Sequence, residues 1–195
     1  MITAQYAIPS ASPGAMFREE MAAGTELGIA ADQLTRLGKL VPDEMVCRVV
    51  AAWLKARDGE FIFDGFPRSL GQADGLASML QERKTPLEVA LFLEADLETI
   101  AGRIASRLVC MNCRTNLSLG LHVPSADTVC PKCGGRLVRR GDDNLETLQL
   151  RMREYQDKTE PVIAHYQKMG LLKAVDSTRS PDLVFASITD ILEDR

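Results

Sequence analysis

The chain has 195 residues, of which 46% are hydrophobic, and a formal net charge of −4 at pH 7. This length predicts one domain with room for a small insert, and the acidic balance argues against a general nucleic-acid or membrane-surface binder. No apolar run is long enough to cross a bilayer, and the N-terminus lacks the features of a secretory signal. We therefore expect a cytoplasmic protein whose five cysteines are free thiols or metal ligands.

The first third of the chain predicts an edge strand followed by three helices. Ser12 and Pro13 are a typical N-cap and first helical residue, and Gly24 is typical of a helix end. The apolar residues of the third helix recur at helical spacing, at Met45, Val49, Ala52 and Trp53. The expected bounds are residues 7–11 for the strand and 12–23, 27–37 and 42–57 for the helices.

The rest of the chain alternates strands with helices. Apolar runs predict strands at residues 61–63, 89–93 and 172–176, the first two of them buried. We expect helices at residues 69–81, 96–107, 144–169 and 180–193. This alternation predicts an α/β fold, in which helices flank a parallel sheet.

The residues that follow the first buried strand form a candidate site. Asp64 and Gly65 end this strand at the carboxyl edge of the predicted sheet, which is where open α/β sheets bind ligands. Arginine binds phosphate oxygens bidentately, and aspartate holds metal-bound water. Asp64 with Arg68 therefore suits a phosphate and its magnesium ion. The alternative is a turn with a surface salt bridge.

Four cysteines form two C-x2-C pairs with sixteen residues between them, namely Cys110, Cys113, Cys130 and Cys133. This spacing is typical of a structural zinc site, which has no open coordination position and serves folding. The composition changes over residues 108–140, which predicts an inserted module that lacks a core and needs a metal to fold. The alternatives are four unpaired thiols or two disulfides. Cys47 lies in a predicted helix, where we expect it only to pack.

Six arginines lie near predicted element ends or the edge of the insert: Arg18, Arg68, Arg103, Arg107, Arg140 and Arg151. Arg103 and Arg107 are four residues apart, which predicts one shared helix face. Each arginine alone is most simply a solvated surface residue. Gathered in one cleft, they would suit phosphoryl transfer, whose catalysis is mostly positioning and charge stabilisation.

Together these features resemble adenylate kinase in its zinc-lid form, and the resemblance covers nearly the whole chain. The matching segments are Y-A-I-P at 6–9, G-K-L-V-P-D-E at 38–44, D-G-F-P-R at 64–68 with Gln72, and R-G-D-D, E-T and R within 140–151. The resemblance implies the reversible reaction ATP plus AMP giving two ADP, with magnesium. It also implies a P-loop-kinase-like core of residues 1–107 and 141–195 with monophosphate-binding helices at about 12–41, and a zinc lid at 108–140.

The resemblance implies a role for each matching residue on the AMP side. Arg18 and Arg68 would hold the AMP phosphate. Lys39, Val41 and Gly65 would line the pocket, and Gln72 would select adenine by hydrogen bonds to its edge.

On the ATP side, Arg103 would stack on the base, and Asp64 would orient magnesium-bound water. Arg107, Arg140 and Arg151 would neutralise the transferring phosphoryl group. The lid of adenylate kinase is a well-known example of a closure that excludes water from the reaction.

One motif of the family is missing. The phosphate loop G-x-x-x-x-G-K-[ST] does not occur in the sequence, and the only Gly-Lys pair, Gly38-Lys39, belongs to the AMP side. The family's first strand, which lies in the middle of its sheet, is missing with the loop. We therefore expect a sheet without its central strand, impaired catalysis by the chain as given, and a true start upstream of Met1. Pro13 and Ala15 also replace a hydroxyl and a carboxylate of the family's S-T-G-D segment.

Two alternatives remain open. The chain could be a non-catalytic relative that holds AMP or a partner, which Pro13 and Ala15 favour. The cysteine module could instead bind nucleic acid through Arg114, Lys132, Arg136, Arg139 and Arg140, against which the acidic total and the scarce aromatic residues argue. We expect a monomer whose partners are ATP, AMP and ADP, with no nucleic acid and no membrane.

Overall fold

A computed structural model describes residues 1–36, 41–139 and 145–194. The chain folds as two compact units with an α/β architecture. The first unit contains Met1–Phe92, Tyr155–Val175 and Pro181–Arg195, and the second contains Leu93–Glu154 and Asp176–Ser180. None of the helices in the described ranges is long and apolar enough to cross a membrane.

The described part of the first 94 residues contains short strands and helices, with three helices in succession between the first two strands. Their elements are α1 (Ile2–Tyr6), β1 (Ser10–Ala11), α2 (Pro13–Ala22), α3 (Glu26–Arg36), α4 (Asp43–Lys55), β2 (Ile62–Phe63), α5 (Leu70–Arg83) and β3 (Ala90–Glu94). The predicted strand at 7–11 is shorter than expected because Ala7 adopts a left-handed conformation, with φ 54°, that ends α1. The sequence patterns did not predict α1.

The remainder of the chain begins with α6 (Leu97–Ser106), β4 (Arg107–Cys110), β5 (Asn116–Ser118) and β6 (Leu137–Val138). It continues with α7 (Leu145–Glu154), a π-helical turn (Tyr155–Thr159), α8 (Glu160–Lys168), β7 (Leu172–Asp176) and α9 (Pro181–Glu193). The long helix predicted at 144–169 is observed as one continuous helical path from Leu145 to Lys168, with the π-helical turn inside it.

The strands of the α/β core form two separate pairs. β1 and β2 are parallel, with Ser10 opposite Ile62 and Ala11 opposite Phe63. β3 is paired with β7, and no strand among the described residues joins the two pairs. The prediction that β3 is buried is wrong, because among the described residues it has one neighbouring strand and its Leu93 is 51% exposed.

The main apolar core of the first unit lies around α4. The residues of this helix that face the core follow helical spacing, at Val46, Val49, Val50, Trp53 and Leu54. Ala52, which the sequence pattern assigned to the same face, is exposed. Buried side chains of α2, α3 and α5, and that of Phe66 in the loop after β2, complete the core. The ring of Trp53 lies 5.6 Å from that of Phe63 on β2. The core therefore holds β2, and the loop that follows it, against α4 and α5.

Candidate active site

The loop after β2 begins where two parallel strands end together. The backbone N–H of Asp64 donates to the carbonyl of Ala11 at 2.9 Å, which continues the pairing of β1 with β2. Gly65 adopts φ +67°, where a side chain is strained, and a Cβ there would lie 2.6 Å from an Arg68 guanidinium nitrogen. Nε of Arg68 donates to the carbonyl of Gly65 at 2.7 Å. Glycine thus lets the arginine fold over the loop at the carboxyl edge of the strands.

Gln72 follows this loop in the first turn of α5 and is nearly buried. Its Oε1 accepts from the backbone N–H of Arg68 at 2.8 Å. Its Nε2 donates to Oδ1 of Asp43, 29 residues away on α4, at 2.7 Å. The other Asp43 oxygen accepts from the hydroxyl of Ser69, the N-cap of α5, at 2.5 Å. These bonds join the N-termini of α4 and α5 beside the loop.

The loop has a third attachment, to the π-helical turn. The hydroxyl of Thr159 donates to the carbonyl of Arg68 at 3.2 Å, across 91 residues of sequence. π-Helical turns occur frequently at functional sites. The sequence patterns did not indicate Thr159, whose partner is far away along the chain. Asp43 belongs to the matching segment at 38–44, but its bond to Gln72 was not predicted.

The start of α2 lies beside the same strand ends. Ser12 follows β1 and caps α2, since its hydroxyl accepts from the backbone N–H of Ala15 at 3.3 Å. Pro13 is the first helical residue, so the departures at positions 13 and 15 leave the predicted cap intact. Arg18 is exposed one turn further along α2. Val41 is half-buried against the α4 core.

The second unit contains Arg103 and Arg107. Arg103, in the last turn of α6, donates to the carbonyl of Ser177. The prediction that the two arginines share a helix face is wrong, because α6 ends at Ser106 and Arg107 begins β4 in an extended conformation, opposite Ser118. Lys39, Arg140 and the side chain of Arg151 lie outside the described residues.

The four predicted cysteines come together in the second unit. Their sulfurs all lie within 4.8 Å of one another, a set that could hold a metal ion. The distance from Sγ of Cys110 to that of Cys133 is 3.4 Å, and Cys113 to Cys130 is 3.7 Å. These separations exceed a disulfide bond of ~2.05 Å, and all four thiols are free. The two-disulfide alternative therefore does not describe this structure.

The surroundings of one of these sulfurs, Sγ of Cys113, favour the thiolate form. Hydrogen bonds from the side chain and backbone of Thr115 lower the pKa of Cys113 to about 6. The thiolate is the form that ligates metals. The backbone also fits closely around the sulfurs, because a Cβ on Gly135 would lie 2.8 Å from Sγ of Cys110.

The cysteine module has a small core, contrary to expectation. Its antiparallel sheet has the order β5-β4-β6, and the buried residues are Leu108, Cys110, Leu117, Val123, Cys130 and Leu137. Two of the four thiol-bearing residues are therefore part of this core. The cysteine set that could hold a metal ion and the apolar cluster of the module therefore share residues.

Comparison with known proteins identifies the family. The family model for adenylate kinase matches residues 1–171. The adenylate kinase of Methanosarcina barkeri is 41% identical over 190 residues, which are 96% of this chain and 88% of that protein. Those of Archaeoglobus fulgidus and Thermodesulfovibrio yellowstonii are 41% and 40% identical, over 98% and 97% of this chain and 89% of each relative. The chain belongs to the adenylate kinase family.

Membership of the adenylate kinase family establishes the class of reaction. Adenylate kinases are phosphotransferases of the nucleoside monophosphate kinase type, with ATP, AMP and ADP as their nucleotides. The Asp64–Gln72 segment carries the family's D-G-F-P-R-x3-Q motif at the edge where parallel strands end. The sequence interpretation of fold and enzyme class is thereby confirmed.

Proposed function

We propose that the loop after β2 and the start of α2 form the AMP site of this adenylate kinase. The observation that carries the proposal is the hydrogen bond from Asp64 to Ala11, which joins the loop and the start of α2 at one strand edge. Arg18 and Arg68 hold the AMP phosphate, and Lys39, Val41 and Gly65 line the pocket. Gln72 pairs with adenine.

On the ATP side, the proposed residues are Arg103 for the base and Arg107, Arg140 and Arg151 for the transferring phosphoryl group. Asp64 orients the waters of a magnesium ion, which would supply charge neutralisation at the phosphates. Phosphoryl transfer needs chiefly this positioning and electrostatic stabilisation, which supports assigning arginines to it.

The cysteine set, within a lid of residues 108–140, is proposed to hold structural zinc. Four thiolates bound at ~2.3 Å in a tetrahedron lie about 3.8 Å apart, close to the measured 3.4 and 3.7 Å. Residues 1–107 and 141–195 form the proposed core, with the monophosphate-binding helices at about 12–41. The enzyme is proposed to act as a cytoplasmic monomer, without nucleic acid or membrane partners.

Calorimetric titration of AMP into the protein tests the AMP site. Charge-assisted contacts to phosphate are worth roughly 10- to 100-fold in affinity, so we expect Arg68→Ala to weaken AMP binding by that factor. Arg48→Ala removes an exposed arginine from α4 and is the matched control. Unchanged affinity in Arg68→Ala, or equal losses in both variants, would contradict the proposal.

The second candidate function is nucleotide binding without phosphoryl transfer. It is favoured by the absence of G-x-x-x-x-G-K-[ST] from the sequence, since that loop supplies the backbone N–H groups and lysine that hold ATP phosphates. We propose that the chain as given is impaired in catalysis. A coupled assay of ADP formation, with and without a strand–loop segment from a relative fused before Met1, decides between the candidates. ADP formation by the fusion protein alone supports the first candidate, an adenylate kinase that transfers phosphoryl groups. AMP binding without ADP formation in either form supports the second candidate, nucleotide binding alone.

A further inference from the structure

The amide of Gln72 is held by two partners that together allow one orientation. The Asp43 carboxylate can only accept a hydrogen bond, so the group that it meets at 2.7 Å is the amide nitrogen. The backbone N–H of Arg68 can only donate, so the group that it meets at 2.8 Å is the amide oxygen. Exchanging the nitrogen and oxygen of Gln72 would set acceptor against acceptor and donor against donor.

Asp43 is itself held in place. Its Oδ2 accepts from the Ser69 hydroxyl at 2.5 Å, and the same hydroxyl accepts from the backbone N–H of Gln72 at 3.1 Å. Asp43, Ser69 and Gln72 are called the Asp43 clamp below. The clamp joins the first residue of α4 to the N-cap and third residue of α5. Gln72 is 7% exposed, so little water is available to compensate for a lost contact.

An amide fixed in this way can distinguish two purine bases. The two contacts use one of its two N–H groups and one of the two oxygen lone pairs, so it can still donate once and accept once. Adenine presents an amino donor at N6 beside an acceptor at N1. Hypoxanthine presents the reverse, an acceptor at O6 beside an N1–H donor. An amide that cannot turn pairs with one of these edges and opposes the other.

We propose that Asp43 is a positioning residue that sets the base specificity of the monophosphate site by fixing the orientation of the Gln72 amide. This inference rests on the proposed role of Gln72 in binding AMP. Asp43 acts through Gln72 and does not touch the nucleotide. Its effect is therefore on the ratio of affinities for AMP and inosine monophosphate (IMP), which differ at the N1 and C6 positions of the base.

The test is calorimetric titration of AMP and IMP into the wild type, Asp43→Asn and Glu44→Gln. Asparagine has the same shape as aspartate but can donate or accept, so the Gln72 amide can turn. We expect the preference for AMP over IMP to fall about five- to tenfold in Asp43→Asn. The Arg68 N–H still donates to the Gln72 amide oxygen in this variant and should maintain the remaining preference. Glu44→Gln removes an exposed charge from the same turn of α4 and should keep the wild-type ratio. Asp43→Glu retains the acceptors and should restore most of the preference.

Three results would overturn the inference. An unchanged AMP-to-IMP ratio in Asp43→Asn, or an equal loss of both affinities, removes the positioning role and leaves the proposed AMP site standing. Equal affinity of the wild type for AMP and IMP would overturn the positioning role without any variant. This measurement keeps the inference testable if Asp43→Asn does not fold. Absence of AMP binding by the wild type instead overturns the proposed function, and the inference with it.

Discussion

Gly75 on α5 lies directly against Cys47 on α4: a Cβ placed on Gly75 would lie 2.7 Å from the Cys47 sulfur. This contact is one helical turn from the bond between Asp43 and Gln72. The close approach of the two helices at Gly75 therefore sets the spacing at which Asp43 reaches Gln72. Burial, and then the charge of Asp43, raise the pKa of Cys47, which agrees with its expected role as a packed thiol.

Replacing Gly75 by alanine should destabilise the protein. Alanine favours helix by about 1 kcal/mol over glycine, but overpacking costs about 1–3 kcal/mol, so we expect a net loss in the free energy of unfolding. Cys47→Ala in the same chain should relieve the clash. Gly102→Ala on α6 is the control, because nothing lies within 4 Å of its Cβ position and it should stabilise. Urea unfolding followed by circular dichroism measures all three, and stabilisation by Gly75→Ala would refute the overpacking.

Removing the Thr159 hydroxyl should loosen the loop that carries Arg68. Thr159→Val keeps the side-chain shape but loses the 3.2 Å bond to the Arg68 carbonyl, a contact worth about 0.5–1.5 kcal/mol. We expect faster amide hydrogen exchange in residues 64–68 and AMP affinity lower by roughly two- to tenfold. Thr159→Ser retains the hydroxyl and should behave as the wild type. Equal exchange rates in Thr159→Val and wild type would show that this bond does not hold the loop.

Removing thiols from the cysteine set should abolish metal binding and destabilise the second unit. We expect the Cys110→Ser/Cys113→Ser variant to bind no zinc in elemental analysis, and the wild type to bind one ion per chain. A chelator should lower the melting temperature of the wild type but not that of this variant. Cys47 lies outside the set, so the Cys47→Ser variant should retain the metal. One zinc ion per chain in the double variant would contradict the assignment of ligands.

The start of α6 should show a defined dependence on pH. The backbone N–H of Thr99 donates to the carboxylate of Asp96, the N-cap, at 2.7 Å and lowers the pKa of Asp96. A lowered pKa in the folded state means that the stabilisation is fully present above the unfolded pKa and is lost as the pH falls through the folded pKa. Asp96→Ala should therefore melt at a lower temperature than wild type at pH 7, with a difference that shrinks in acid.

The control for this prediction is Asp96→Asn, because asparagine also caps helices well and does not titrate. Its melting temperature should stay near that of wild type at pH 7. A deficit in Asp96→Ala that is constant from pH 7 to pH 3 would show that the carboxylate charge does not contribute to the cap.

Local features of the sequence determined much of the structure and the chemistry. The helix starts at Ser12, Ser69 and Asp96 were predicted and are observed, because an N-cap bonds to backbone only a few residues away. The two C-x2-C pairs predicted one shared site, because each pair forms its own short turn and the spacing between the pairs is typical of a four-cysteine zinc site. The D-G-F-P-R run and the order of the motifs determined the family.

Long-range packing decided the rest. The bond from Gln72 to Asp43, the anchor from Thr159 to Arg68 and the exposure of Leu93 depend on which distant segments become neighbours, and no local periodicity encodes that choice. Arg107 illustrates the difference: helical spacing placed it on a helix, but pairing of β4 with β5 holds it in a strand. Hydrogen bonds to the next strand along the chain outweighed a weak helical propensity at that position, because propensity contributes only tenths of a kcal/mol per residue.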